Sequence, residues 1–116
     1  MKEDKKIAIR AAQCLDSKKA TDILVLDVED LSSIASYFII ATGLVERHIK
    51  SLANYLKEDL KKTGVRVFHV DGYEESSWIV LDYGSIIVHL FTPAMRDYYL
   101  LEKLWGDAQE LDWSHE

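Results

Sequence analysis

Two acidic side chains bracket one valine in Asp27-Val28-Glu29, directly after an apolar run. Carboxylates at that spacing share a strand face and suit a divalent cation. With Asp82 they would make the metal centre of a nucleotidyl-transferring enzyme. Such an enzyme also needs backbone amides or basic groups on phosphate. The only candidate, Thr42-Gly43-Leu44, is a single glycine before a helix, much weaker than a glycine-rich phosphate loop. His48, His69, His89 and His115 fall in a helix, two strands and the tail, with no pair at a ligand spacing. His89 shares a strand face with Ile87 and Phe91, which suits a half-buried, hydrogen-bonded role. Cys14 is the one cysteine, so an internal disulfide and a cysteine-rich zinc site are excluded, and it reads as packing. No catalytic constellation, metal set or cofactor motif emerges, and the residues argue against an enzyme.

A different chemistry is concentrated near the carboxyl end. Trp78, Val80 and Asp82 alternate with Ile79, Leu81 and Tyr83, so the two sets face opposite ways on a strand. Tyr98, Tyr99 and Trp105 follow in the last helical segment. Large rings beside acids make protein-interface anchors, because rigid rings bury area and charges give register. Trp105 reads as core, whereas Trp78 and Tyr83 are divided between core and contact. Charge agrees with a basic partner: residues 1–70 hold 12 Lys/Arg against 10 Asp/Glu, whereas residues 71–116 hold two against ten, a net of −8. Phosphate backbones are held through Lys and Arg, so this segment is ill suited to them, and no direct grip of the protein on nucleic acid is expected.

The elements that must position these groups follow from periodicity. Ile7, Ala8, Ala11, Ala12 and Leu15 set a helix over about 3–17. Ile23 to Leu26 is a continuous apolar run, a strand covered on both faces. Tyr37 to Ile40 centres a second strand over 36–41. Val45, Ile49, Leu52, Ala53, Leu56 and Leu60 define a second helix, stopped at Gly64. Strands are predicted over 65–70, 78–83 and 85–91, the last two a hairpin turning at Gly84. Thr92-Pro93 opens a final helix running to about Trp105. The order α-β-β-α-β-β-β-α predicts a single α/β domain, a mixed five-stranded sheet with helices packed on it, over residues 1–106. Residues 107–116 form a loosely held acidic tail.

At 116 residues and 48% apolar composition, the chain suits one domain and no more. Its longest uncharged stretch, 31–45, is too short and polar for a membrane span, and its charged start is unlike a secretory signal. A cytoplasmic protein with no membrane partner is the expectation.

Several ordered motifs resemble the ribosomal silencing factor, or Iojap-like, family. They are Lys19-Ala20-Thr21-Asp22-Ile23 with Leu26-Asp27-Val28; Tyr37-Phe38-Ile39-Ile40-Ala41-Thr42-Gly43; Asp71-Gly72; the hairpin Trp78 to Gly84 with Val88-His89-Leu90-Phe91; and Arg96-Asp97-Tyr98-Tyr99 through Trp105. Ser36 stands where the family has an aspartate. The resemblance implies a nucleotidyltransferase-like topology without catalysis and a frequent homodimer. It also implies binding to ribosomal protein uL-fourteen on the large subunit, which keeps the small subunit from joining and represses translation. Combined with the aromatic and acidic pattern near the carboxyl end, this places Trp78, Leu81, Asp82 and Tyr83 at or near that contact, with Asp71, Tyr98 and Glu102 as supports and Arg96 paired internally with an acid.

Overall fold

The computed structural model describes residues 2–31, 33, 35–99 and 108–114. Its elements run α1 (Lys2–Ser17), β1 (Thr21–Asp27), β2 (Tyr37–Thr42), α2 (Glu46–Lys61), β3 (His69–Asp71), β4 (Trp78–Asp82), β5 (Ile86–Phe91), α3 (Pro93–Tyr99) and β6 (Gln109–Glu110). The sheet order is β3-β4-β5-β2-β1-β6. Only β2 and β5 pair in parallel, with Tyr37 opposite Ile86 and Thr42 opposite Phe91; every other pair is antiparallel. This is the mixed α/β architecture that the alternation of helical and strand patterns predicts.

The helices bury the stripes their periodicity marks. Ala8, Ala11, Ala12 and Leu15 of α1, and Ile49, Leu52, Ala53, Leu56 and Leu60 of α2, pack on one face of the sheet. There they meet Val25, Ile39, Ala41, Ile79, Leu81, Val88 and Leu90, whose neighbours in sequence point to the opposite face. A bidentate pair joins the helices, with Arg10 Nε and Nη2 donating to Asp59 at 3.0 and 3.1 Å. Every residue of β2 is buried, as a central strand requires. Arg96 ties α3 back to the sheet by donating to the Asp22 carbonyl and to Thr42 Oγ1.

Two expectations change. The third strand, read over 65–70, forms its ladder only at His69–Asp71. Val65 and Val67 are instead half-buried against the helix-side core, and pairing starts with the Phe68 amide donating to the Asp82 carbonyl. The sheet also has six strands where five were expected. The sixth, Gln109–Glu110, is short, polar and exposed, with no alternation to announce it, and it joins through backbone pairing to Leu26 and Asp27. The segment expected to be loose is thereby held in its described part: the Leu111 amide donates to Val25, Trp113 Nε1 to the Ile23 carbonyl, and Gln13 to the Trp113 carbonyl. The expected continuation of the last helix, with Glu102 and Trp105, lies outside the described residues.

Candidate functional site

Register decides which predicted residues meet. Asp71 pairs with Val80, and Val80 with His89; Asp82 pairs with Ile87, and Trp78 with Phe91. Directly opposed residues share a face. Asp71, Trp78 and Asp82 therefore lie together on the sheet face away from α1 and α2, surrounded by Val80, Ile87 and His89. Phe38, Ile40 and Phe91 form the buried floor of this face.

Leu81 and Tyr83 fall on the other side. Leu81 is 0% exposed and Tyr83 only 8%, both inside the core beneath the helices. Their place at an external contact is corrected: period-two alternation turns them away from Trp78, and a partner could reach Leu81 only by lifting a helix. The Tyr83 hydroxyl is buried with no hydrogen-bond partner among the described residues, and burial pushes its pKa up to about 12. Tyr98 lies on α3, which follows β5 directly. Glu102 is outside the described residues.

His89, the half-buried polar group its strand position predicts, has a specific task. Trp78 Nε1 donates to His89 Nδ1 at 3.1 Å, which leaves the other ring nitrogen carrying the proton. The imidazole also lies edge-on to Phe38 and near-parallel to Phe91, with centroids 5.4 and 6.1 Å away. Trp78 stacks on Phe91 at 5.0 Å. Burial lowers the His89 pKa to about 4, so the ring is neutral at physiological pH and keeps its acceptor. The indole is thus fixed by a hydrogen bond at its edge and a ring at its face. The missed signal is cross-strand: His89 and Phe91 flank Trp78 only once the hairpin register is known.

Gly72 sets the entry into β4. Its φ is +77°, and a Cβ there would lie 2.1 Å from the Trp78 carbonyl oxygen. The turn is closed by the Ser76 amide donating to the Gly72 carbonyl. At the other end of β4, Asp82 Oδ1 accepts the Gly84 amide at 2.8 Å, so this acid shapes the hairpin turn as well as the face. The exposed ends of His69 and Asp71 meet at 3.2 Å on the edge strand.

The alternative metal site does not assemble. Asp27 ends β1 beside Tyr37 on the helix side, whereas Asp82 is on the opposite face of β4. Three strand spacings separate β1 from β4, about 14 Å. Asp27 Oδ1 instead accepts the Glu29 amide in a local turn. The Thr42-Gly43-Leu44 corner is equally structural. A Cβ on Gly43 would come within 2.8 Å of Ile49, and the Leu44 amide donates to His48 Nδ1. The glycine lets α2 approach the sheet. Cys14 is buried, and desolvation raises its thiol pKa to about 11, consistent with packing.

Fold and site together define a helix-backed α/β sheet domain with an aromatic, acid-edged face. Residues 1–116 match the family model described as "Ribosomal silencing factor during starvation". The chain is 41% identical over 106 residues to the ribosomal silencing factor RsfS of Bacillus subtilis, covering 91% of this chain and 89% of that one. It is 32% identical to the chloroplastic protein Iojap of Arabidopsis thaliana, over 90% of this chain and 44% of that protein. A crystal structure of a Chromobacterium violaceum protein superimposes with a TM-score of 0.82 at 38% identity, covering 100% of this chain and 93% of that one. A second, from Bacillus halodurans, gives 0.79 at 30% identity, covering 97% and 99%. The chain belongs to the ribosomal silencing factor family RsfS.

Proposed function

We propose that this chain binds ribosomal protein uL-fourteen on the large subunit through the sheet face away from α1 and α2. There it would act as a steric block to subunit joining in the cytoplasm, without catalysis. The observation that carries this reading is the convergence of Asp71, Trp78 and Asp82 on one face, with the indole held in place by His89 and Phe91. A fixed ring on a face that also carries acids is suited to a basic protein surface, because the ring loses little conformational entropy on binding. The family's description as ribosomal silencing factors supports a ribosomal partner. The same face would serve a homodimer, which therefore competes with the ribosomal contact.

Co-sedimentation with large subunits at low salt tests the reading. Wild type should pellet with the subunit, and Trp78→Ala with Asp71→Lys should lose at least tenfold in affinity while melting cooperatively. Asp71 is preferred to Asp82 for reversal because the latter supports the hairpin turn. Absence of co-sedimentation would overturn the function. Wild-type affinity in the double variant would move the contact elsewhere. No helix among the described residues is long and apolar enough to cross a membrane.

A further inference from the structure

We infer that the outer surface of α2 is a second docking surface, which takes the phosphate backbone of structured RNA. The argument starts from charge partition. Residues 1–20 and 46–66, which comprise α1, α2 and their flanking turns, hold 12 of the chain's 14 Lys/Arg against 6 Asp/Glu, a net of +6. Everything else holds 2 against 14, a net of −12. Both helices lie on one side of the sheet, so that side is basic, while Asp71 and Asp82 lie on the other.

On α2 the basic groups are aligned. Arg47, Lys50, Lys57 and Lys61, with Asn54 between them, fall within an arc of about 80° and run about 21 Å along the axis. That flank is separate from the buried line of Ile49, Leu52, Leu56 and Leu60. Arg47, Lys50 and Asn54 also line a shallow groove of ≈ 530 Å³ with Ser51, Tyr55 and Glu58. Aromatic rings hold Lys50 of this row, and Lys18 just beyond the end of α1, in place. Lys50 Nζ lies 5.1 Å from the Tyr73 ring centroid, and Lys18 Nζ 4.2 Å from that of Tyr55, which is 41% exposed. Asn54 in turn donates to the Tyr73 hydroxyl at 2.8 Å. Glu58 opposes the trend, whereas Asp59 is occupied by Arg10.

A row of cations with polar donors between them suits a polyanion whose charges repeat along a line. An anionic membrane fits less well. An interfacial helix needs a free apolar face, and the apolar stripe of α2 is already buried in the core. Because the family is one of ribosomal silencing factors, the RNA at hand is ribosomal. This inference uses the opposite side of the molecule from the protein contact proposed above and stands or falls separately.

The test is fluorescence anisotropy of the full chain with a plain duplex RNA hairpin. Four phosphate contacts predict a log–log salt slope of about −3.6, or roughly a 100-fold loss of affinity between 50 and 200 mM salt. Arg47→Gln with Lys57→Gln should weaken binding about tenfold at 50 mM salt and reduce the slope by about 2. Trp78→Ala should leave RNA affinity unchanged while impairing the protein contact. No binding at 50 mM salt, or wild-type affinity in the double glutamine variant, would overturn the inference. So would tighter partitioning of the wild type onto phosphatidylserine-containing vesicles than onto the hairpin, which would assign the surface to a membrane.

Discussion

On the sheet face away from α1 and α2 the Trp78 indole donates to His89, and that bond ties the central ring of the site to a titratable group. The imidazole's ordinary value is 6.5, and burial lowers it to about 4 in the folded chain. Below pH 6.5 the unfolded chain takes up a proton that the folded one refuses. Stability is therefore complete above 6.5 and falls as pH drops towards 4, by about 3 kcal/mol in all. His89→Asn keeps an acceptor near Nδ1 but cannot titrate. The wild-type-minus-variant difference in unfolding free energy should shrink between pH 7 and 4. Parallel profiles would show that the histidine is not the titrating group. Gly72 makes a second residue-scale case, since a Cβ would press on the Trp78 carbonyl at an already left-handed φ. Gly72→Ala should cost roughly 3 kcal/mol by denaturant titration, with no gain of a compensating contact. An unchanged midpoint would mean that the turn can relax without moving β4.

The elements show how a polar strand completes the sheet. β6 covers the outer edge of β1, and Trp113 behind it donates to Ile23 while its own carbonyl accepts from Gln13 of α1. An uncovered edge offers unpaired amides to another chain. Trp113→Ala should thus lower stability by about 2 kcal/mol and raise amide exchange selectively along β1, read by mass spectrometry. Exchange spread evenly over the sheet would show that the tail supports the whole fold instead. This strand was invisible in the sequence because backbone pairing alone forms it, and Gln109 and Glu110 carry no alternation. The helices and the long strands were legible because burial stripes at 3.6 and 2 residues repeat often enough to be read. The site was legible in part. Alternation correctly separated Trp78 and Asp82 from Leu81, yet which of the two sets faced solvent depended on where α1 and α2 packed. That is a tertiary fact, and it turned Leu81 and Tyr83 inward. His89 as the partner of Trp78 depended on hairpin register, which the turn fixes and composition does not.

At the scale of the whole molecule, the sequence order of charge becomes a spatial order. The two amphipathic helices with their flanking turns hold 12 of the 14 lysine and arginine residues and pack on the same side, so an overall charge of −6 conceals a basic helix side. A ribosomal subunit offers both basic protein and RNA phosphate, and a wedge held on both faces resists displacement better than one held on either. Rim charges are screened beyond about 8 Å at physiological ionic strength, so affinity for the large subunit should fall steadily with salt. The decisive measurement is a double-variant cycle on that affinity. Trp78→Ala alters the sheet face and Arg47→Gln with Lys57→Gln alters the helix face, on opposite sides of the sheet. Distant sites add to within about 0.5 kcal/mol. The combined variant should therefore lose the sum of the two free energies if both faces touch the subunit. A combined variant no weaker than Trp78→Ala alone would mean that the helix face is turned to solvent on the ribosome, whatever it binds in isolation.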